Sequence, residues 1–568
     1  MNIFLLLLLL FCNGFVFSQT AKRFDVVIHE LLPDPSPSQG LPSSEFIELR
    51  NNSSDIINLR NWKITDGSSV GTVSVNFLLQ PDSCVVICPS AALAAFTLIS
   101  TAVGITGFPS LNNDGDMIWL IAPDGSIIHA VSYETGWFRN AVKSEGGWSL
   151  EMIDVHNPCG GKDNWIASRD QSGGTPGKKN SAEAINRDTI PPSLIRTYAA
   201  DSVTIVLLFD EPLDSISATN TSAYKIDNNI YPVQASLTGP LFNQVNLKLA
   251  FVLSRDSVYT LTVTGATDCA GNSIGFSNTA KAGLASESAS NEIIINEVLF
   301  NPLAPGTDYI ELFNRSNKVF DAAALYVANR NTTGMIGDLN RLSEIPFYFF
   351  PSDHLLFTAD GVIVQSQYFV KNPPQIISGK LPSLPDDKGT VVLMNNHGLT
   401  VDELAYDEKW HFALISKREG VALERIDPSG RTQDKNNWTS ASTDAGYGTP
   451  TYVNSQYRKA QTTSGKIEVI PKVFSPDNDG LDDFCFINYH LSVPNTVASI
   501  TIFDIKGVAV RNLCRNITLS EKGMVRWDGL DSRGYKLPAG IYIIFTGLYD
   551  LQGNTANFKN TVTLAGRF

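Results

Sequence analysis

The sequence contains one long internal repeat. IHELLPDP, which begins at residue 28, returns as INEVLFNP at 295, and EFIELRNNS at 45 returns as DYIELFNRS at 308. Four further phrases follow in the same order in both copies, ending in GGTPG and YGTPT. Glu30 lies 267 residues before Glu297, and Thr175 lies 274 residues before Thr449. A unit of about 150 residues has the size of a domain, so we expect two copies of one domain.

Both copies, and the segments around them, have the pattern of β-structure. Short runs rich in Val, Ile, Phe and Tyr, such as VTIVLLF and GIYIIFTGLY, alternate with turn clusters such as PDG and DSRG. This pattern is typical of antiparallel sandwiches. The predicted fold class is all-β, a tandem array of Ig-like β-sandwiches. For SAALAAFTLIS at 90–100, helix and non-helix both remain open.

The chain divides into five predicted segments. The first, 1–18, has a solid apolar run too short to span a bilayer and then small residues, which predicts a secretory signal peptide. A lipoprotein anchor at Cys12 is the weaker alternative, because Phe11 precedes it where a small residue is needed. The other four are predicted domains, and they comprise 24–180, 189–285, 291–457 and 466–568.

The charge and the cysteine content argue against a nucleic-acid-binding protein and against a disulfide-rich scaffold. There are 43 Lys and Arg against 57 Asp and Glu, a net charge of −14, so no basic surface for nucleic acid is expected. Six cysteines outside the signal segment are too few for a disulfide scaffold. Cys84 and Cys88 are about 13 Å apart on a strand and are expected to be unpaired. Pairing of Cys485 with Cys514 stays open.

The carboxylates Glu45 and Glu48 raise the question of acid–base catalysis. Residues three apart on a strand point to opposite faces, so these two cannot flank one scissile bond. Glu48 and Glu311 alternate with apolar neighbours, so each is expected to face away from the core or to cap a neighbouring loop. We therefore predict no catalytic residues.

Other catalytic motifs are incomplete. Ser69 is central in GSSVG, but a strand-like run follows it where a nucleophile elbow needs a helix. GGTPGK at 173–178 has neither the spacing nor the final Ser or Thr of a phosphate loop. The histidines form no HExxH, although a dispersed metal site stays open.

One acidic loop predicts a metal. In SPDNDGLDDF, Asp477, Asp479, Asp482 and Asp483 surround Gly480. Ca²⁺ accepts such oxygen-rich loops, and we expect these four residues as its ligands, although the EF-hand pattern fails. A solvated Asp-rich turn is the alternative. We expect no other cofactor.

The first copy is rich in tryptophan. Its members are Trp62, Trp119, Trp137, Trp148 and Trp165. They could form a carbohydrate-stacking face or belong to the core, and core tryptophans are the commoner case in sandwiches.

The repeated unit resembles the lamin-tail domain, an Ig-like sandwich. The resemblance rests on Glu30 with Pro33, on FIELRNNSSDIINLRNWKITD, on DGDMIWLIAPDG, and on the closing Trp165 and Thr-Pro-Gly. The second copy departs from the first at Tyr326, which stands where Trp62 does.

Two other segments resemble surface modules. FDEPLD at 209–214 with the later DCAGN resembles a bacterial Ig-like domain family of surface-layer proteins. WDGLDSRGYKLPAGIYII resembles flagellar hook-capping Ig-like domains, and FSPDNDGLDDF resembles the C-terminal domain of gliding-motility-associated proteins. The last group implies a sorting signal for type IX secretion in Bacteroidetes.

These resemblances imply a non-enzymatic, exported protein with a structural or adhesive role. Its expected location is the medium or the outer surface of the cell. The expected partners are the export machinery and a surface protein or glycan, with no nucleic acid. The alternative is a secreted hydrolase, nuclease or polysaccharide-acting, or its accessory binding protein.

Overall fold

A computed structural model describes residues 21–227, 230–255, 257–331, 333–415, 417–458, 465–493, 495–550 and 555–566. The predicted signal segment lies outside these residues. The chain is nearly all β, with 40% strand and 8% helix, as predicted. It forms two compact units, one of the chain up to Val252 with Thr260–Ala280, the other of Leu253–Tyr259 with Lys281–Phe568. The boundaries of the predicted domains stay predictions.

The first copy of the repeat contains twelve strands. They are β1 (Val26–Leu32), β2 (Phe46–Asn51), β3 (Ile57–Asn58), β4 (Lys63–Thr65), β5 (Val70–Thr72), β6 (Leu78–Leu79), β7 (Cys84–Pro89), β8 (Ala102–Ile105), β9 (Gly115–Ile121), β10 (Ile127–Glu134), β11 (Leu150–Met152) and β12 (Trp165–Ala167).

These strands form a sandwich. One sheet has the order β12-β11-β1-β2-β7-β8 and the other β10-β9-β4-β5, while β3 pairs with β6. Apolar side chains of both sheets, such as Ile47 and Leu49 from one and Ile64 and Leu120 from the other, form one buried core. β1 is buried along its whole length because its second face is covered too. That second, covered face holds the site described below.

The described residues of the segment after the first copy contain seven strands. They are β13 (Leu194–Asp201), β14 (Thr204–Phe209), β15 (Tyr224–Ile226), β16 (Gln234–Thr238), β17 (Gln244–Lys248), β18 (Val258–Val263) and β19 (Thr279–Gly283). They form sheets of order β13-β14-β17-β16 and β15-β18-β19.

In the second copy, too, twelve strands lie within the residues that the structure describes. They are β20 (Ile293–Leu299), β21 (Tyr309–Asn314), β22 (Phe320–Asp321), β23 (Leu325–Asn329), β24 (Asn340–Arg341), β25 (Tyr348–Phe349), β26 (His354–Thr358), β27 (Ile376–Ser378), β28 (Lys388–Asn395), β29 (Thr400–Asp407), β30 (Leu423–Arg425) and β31 (Trp438–Ser440).

The two copies share one topology. The large sheet of the second copy, β31-β30-β20-β21-β26-β27, repeats that of the first strand for strand, and β29-β28-β23-β24 repeats the smaller sheet. Even the parallel pairing of β7 with β8 recurs between β26 and β27. The repeat in the sequence is therefore a repeat of the fold.

Eight strands lie in the described part of the tail. They are β32 (Lys466–Ile470), β33 (Val473–Phe474), β34 (Cys485–His490), β35 (Val497–Asp504), β36 (Ala509–Thr518), β37 (Lys522–Trp527), β38 (Gly540–Tyr549) and β39 (Thr555–Leu564). Sheets of order β32-β34-β37 and β33-β39-β38-β35-β36 enclose a core around the fully buried Trp527.

Helices are short. The α-helices of the described residues are α1 (Leu93–Phe96), α2 (Ser215–Ala218) and α3 (Gly361–Gln367). Short 3-10 turns occupy Ser90–Ala92, Thr135–Phe138, Lys143–Glu145, Gly161–Asn164, Thr221–Ala223, Ala322–Ala324, Pro373–Gln375, Glu408–Trp410 and Lys435–Asn437. Only the first part of the ambiguous stretch at 90–100 is thus helical. Among the described residues, none of the helices has the length and hydrophobicity needed to cross a bilayer.

Candidate functional site

Three glutamates lie side by side on the covered face of the large sheet in the first copy. Glu30 on β1 stands opposite Glu48 on β2 and opposite Glu151 on β11. All three side chains are completely buried. Like charges directly opposite each other across strands are destabilising, so this carboxylate triad needs protons or hydrogen-bond donors.

All but one of the main-chain and hydroxyl donors come from residues 173–182, in the segment that follows β12 and covers this face (the covering segment); the exception is Ser149, which precedes β11. Glu30 accepts hydrogen bonds from Thr175 N (2.8 Å) and Ser149 Oγ (2.6 Å). Glu48 accepts one from Gly177 N. Glu151 accepts from Thr175 Oγ1, Ser181 Oγ and Ala182 N, at 2.7–3.0 Å. Main-chain amides of one segment thus bind carboxylates of the same chain, much as an anion-binding loop binds its ligand.

The second copy contains the same triad. Glu297 on β20 stands opposite Glu311 on β21 and Glu424 on β30, and all three are completely buried. Five donors correspond to those of the first copy, namely Thr449 N and Oγ1, Thr451 N, Ser455 Oγ and Gln456 N. Ser149 has no counterpart, and Tyr309 Oη donates to Glu297 instead.

Asn180, a buried asparagine of the covering segment, also has a counterpart in the second copy, Asn454. Asn180 Nδ2 donates to main-chain carbonyls of His29 and Met152, and Asn454 Nδ2 donates to those of Asn296 and Arg425. The two copies therefore keep the donors of the covering segment as well as the same strands.

Burial favours the protonated carboxyl at Glu30 and Glu48 in the first triad and at Glu297, Glu311 and Glu424 in the second. It raises the pKa of Glu48 to about 8 and that of Glu424 to about 8. Burial, followed by the charge of the glutamate opposite, raises the pKa of Glu30 and of Glu311 well above the ordinary range. The pKa of Glu297 is raised by burial as well. A protonated member can donate a hydrogen bond, which lets neighbouring carboxyls lie together.

A histidine and a cysteine also meet the first triad. One possible ligand atom from each of His29, Glu48 and Cys84 lies within 4.8 Å of the others. His29 Nδ1 is 3.1 Å from Glu48 Oε2, and burial lowers the pKa of the imidazole to about 3. In the second copy Asn296 occupies the place of His29, and its amide donates to Glu311 at 2.9 Å. An amide replaces a hydrogen-bond donor better than it replaces a metal ligand, so we assign His29 the donor role.

Glu45 and Glu48 do not share a site. Glu45 is half-buried and accepts hydrogen bonds from Ser110 Oγ and Leu111 N, whereas Glu48 is bound by Gly177 N. The prediction that Glu48 faces away from the apolar core or caps a loop is confirmed, because Ile47 and Leu49 lie in that core whereas Glu48 accepts from Gly177 N on the other face. The full burial of the triad was missed, since its members are 18 and 103 residues apart.

The incomplete catalytic motifs take structural positions. Ser69 lies in the turn between β4 and β5, which pair with each other, so no helix follows it. The glycine-rich GGTPGK is the segment that donates its amides to Glu30 and Glu48.

The acidic loop of the tail connects β33 to β34. Oxygens of Asp477, Asp479 and Asp483 lie within 4.8 Å of one another. Asp483 accepts from Asn478 N (2.6 Å) and Gly480 N (3.0 Å), which holds the loop in this shape. The cluster does not include Asp482, which has a φ of 49° and takes part through its carbonyl, an acceptor for Ser475 N. Ca²⁺ at this loop stays a prediction, with three carboxylates rather than four.

The tryptophans of the first copy are mostly interior. Trp62, Trp137 and Trp165 are buried, and Trp119 and Trp148 are partly buried. None of the five is exposed, so they form no open stacking face.

One disulfide was not predicted. Cys159 is bonded to Cys269, 110 residues away. Cys485 and Cys514 are free, as are Cys84 and Cys88. Sequence reasoning missed the bond because its partners belong to different predicted domains.

Residues 19–135 match the family described as Lamin Tail Domain. The match covers most of the first copy and includes Glu30 and Glu48. No curated protein sequence is similar enough to count as a match.

Several solved structures are similar to this chain. The N-terminal part of the bacterial S-layer protein SbsC shares 12% identity, with coverage of 38% of this chain and 44% of that one and a TM-score of 0.16. A Ca²⁺-stabilised ice-binding adhesin of an Antarctic bacterium shares 10% identity, covers 96% and 100%, and has a TM-score of 0.12. PorZ, a surface component of the type IX secretion system of Porphyromonas gingivalis, shares 9%, covers 90% and 75%, and has a TM-score of 0.16.

Structural similarity at TM-scores of 0.12 and 0.16 gives no information about the function of this chain. The chain also spans only about half the length of the S-layer structures, with 44%, 54% and 55% of them covered. The similarity of residues 19–135 to the lamin-tail family, in contrast, is a similarity of sequence.

Proposed function

We propose that this is a non-enzymatic protein, exported to the cell surface or the medium, with a structural or adhesive role. Its sandwiches act as spacers and as binding surfaces for a surface protein or glycan. The tail, 466–568, acts as the sorting or anchoring domain that the export machinery recognises.

One observation carries the proposal that the protein is non-enzymatic. In both copies of the repeat, the three glutamates at corresponding positions are completely buried. A glycosidase or nuclease must present its carboxylates to substrate and water. Here each triad is completely buried and bound by amides and hydroxyls of the covering segment. The residues that the two copies share therefore maintain the fold, which fits a duplicated scaffold.

Activity assays separate this proposal from the hydrolase alternative. The purified full chain is incubated with DNA, phosphodiester, ester and polysaccharide substrates, and no turnover is expected. Turnover that disappears when one acidic side chain is replaced by its amide would establish an enzyme instead.

Truncation tests the role of the tail. A chain that ends before Lys466, expressed in the native host, is expected to accumulate inside the cell, whereas the full chain reaches the surface. Equal surface display of both chains would refute the sorting role.

A further inference from the structure

The second copy of the repeat and the tail belong to one compact unit, and they contact each other through hydrogen bonds. Asp444, which follows β31, accepts from the Tyr489 hydroxyl, from Ser520 N (3.2 Å) and from Ser520 Oγ (3.1 Å). One residue earlier, Thr443 N donates to Thr518 Oγ1 at 3.1 Å. A single loop of the second copy thus binds three residues of the tail.

The covering segment of the second copy, 447–456, contacts the tail as well. Its Ser455 and Gln456 bind the buried triad of their own copy. The carbonyl of Ser455 also accepts from Glu521 N at 3.1 Å, and Gln456 Oε1 accepts from Asn495 N at 3.3 Å. The segment therefore lies between the buried glutamates and the tail.

Three positions differ between the two copies in a way that fits this contact. At each of them the first copy has an apolar side chain, and the second copy has a polar one. The pairs, matched by strand pairing or by the acceptor of the main-chain amide, are Ile166 and Thr439, Ala182 and Gln456, and Ala184 and Arg458.

Two of these positions are also more deeply buried in the second copy. Ala184 is exposed, whereas Arg458 is only 6% exposed. Ile166 is partly buried, whereas Thr439 is 2% exposed and its hydroxyl donates to Asn495 Oδ1 of the tail. The second copy therefore buries polar side chains where it meets the tail.

The interface has no shared apolar core among the described residues. The buried apolar clusters of the second copy contain only residues of that copy, and the cluster of the tail contains only tail residues. Polar interfaces between domains permit relative motion. Asp444 is itself solvent-exposed, so its hydrogen bonds are replaced by bonds to water when the tail separates. The interface can therefore open.

Arg458 opposes the docked arrangement. Its Nη1 donates to Tyr457 O at 2.8 Å, but its Nε and Nη2 are buried with no hydrogen-bond partner among the described residues. Burial lowers the pKa of the guanidinium to about 10, although the charges of Glu521 and Glu424 counteract this. Buried donors without acceptors are costly, so hydration of this side chain favours release of the tail.

We propose that the second copy holds the tail through a releasable polar interface, in which Asp444 is the main anchor and Arg458 favours release. The tail of the same chain is the partner of this surface. The docked state does not depend on the sorting role of the tail, since all its contacts lie within the chain.

Cysteine cross-linking in the full chain tests the docked state. Thr443 Oγ1 and Thr518 Oγ1 are 3.0 Å apart. Thr443→Cys/Thr518→Cys should therefore form a disulfide with oxidised glutathione, identified by mass spectrometry of the linked peptides. All variants also carry Cys514→Ser, because that free cysteine lies on the same strand as Thr518.

The control for cross-linking is Thr443→Cys/Thr561→Cys, which should stay reduced. Thr561 is exposed and lies toward the opposite end of the tail's five-stranded sheet from Thr518. A second test pair, Thr439→Cys/Asn495→Cys, replaces another bonded contact. The absence of a cross-link in both test pairs would overturn the proposal.

Thiol labelling tests release. Thr518 is 4% exposed in the docked state, so a cysteine there reacts with a thiol reagent after the tail separates. In Thr518→Cys, we expect Asp444→Ala to accelerate this labelling about fivefold because hydrogen bonds to the tail are lost. Arg458→Met should slow it, because the unpaired nitrogens are removed. Asp386→Ala, at an exposed position of the second copy, should leave the rate unchanged.

Cys485 separates release from unfolding in the same experiment. It is completely buried in the core of the tail, so its labelling reports unfolding of the tail and should keep one rate in all these chains. Labelling of residue 518 that Asp444→Ala leaves unchanged would contradict the anchor. Faster labelling in Arg458→Met would contradict the opposing role of the guanidinium.

Discussion

Glu30 lies directly opposite Glu48 across two antiparallel strands, and both carboxyl groups are completely buried. Glu297 and Glu311 repeat this relationship in the second copy. Two like-charged groups in such positions are tolerated only because a covering segment supplies donors and because burial favours protonation.

Removal of one donor should destabilise the first sandwich. Thr175→Val keeps the shape of the side chain but removes the hydroxyl that donates to Glu151 at 2.8 Å. We expect a loss of about 1–3 kcal/mol, typical of a buried acceptor left without its partner, measured by denaturant unfolding of the full chain. Thr97→Val is the control, because its hydroxyl bonds to Ala94 O on an exposed turn. Equal losses in the two variants would contradict the role of the network.

The raised pKa of Glu48 predicts a pH dependence. Between its ordinary pKa of 4.5 and its folded value of about 8, the folded state holds a proton that the unfolded state releases. This contribution to stability is complete below pH 4.5 and is lost as the pH rises through 8. His29, with its pKa lowered to about 3, has the opposite effect only below pH 6.5.

Glu48→Gln should therefore flatten the fall in stability between pH 6.5 and 8. The measurement is denaturant unfolding across that range, with the exposed Glu145→Gln as control. A variant with the slope of the parent would show that Glu48 releases no proton on unfolding in this window.

The Ca²⁺ response of the acidic loop in the tail should depend on Asp479 but not on Asp482, which lies three residues further along the chain. Asp479→Asn removes a carboxylate of the cluster, whereas Asp482→Asn removes one outside it. We expect Ca²⁺ to raise the unfolding temperature of the tail in the parent and in Asp482→Asn, but not in Asp479→Asn. No Ca²⁺ response in the parent would leave the loop as a hydrogen-bonded Asp-rich turn.

The disulfide should stabilise the first compact unit. A bond that closes a loop of about 100 residues contributes roughly 2–5 kcal/mol through the unfolded state, and here the cysteines are 110 residues apart. Reductant should lower the unfolding temperature of the parent. It should not change the unfolding temperature of the double variant Cys159→Ser/Cys269→Ser. Cys514→Ser, which replaces a free cysteine, should respond to reductant like the parent.

Local patterns predicted the fold class and the orientation of single side chains. The alternation of Glu48 with Ile47 and Leu49 was sufficient to place its carboxyl away from the core. It could not reveal the triad, because Glu151 joins through a strand pairing far along the chain. The bond of Cys159 to Cys269 depends on how two domains pack, which no local pattern encodes. Spacing predicted Asp482 as a fourth ligand, which stays a prediction. In the structure its carbonyl accepts from Ser475 N, and the carboxylates that lie together are those of Asp477, Asp479 and Asp483.

The location and ends of the native protein test the central proposal most directly. Cells of the native host are fractionated, and mass spectrometry identifies the termini of the protein in each fraction. We predict a chain that begins at Gln19 and is found on the outer surface or in the medium. An intact chain that begins at Met1 and remains in the cytoplasm would contradict the account.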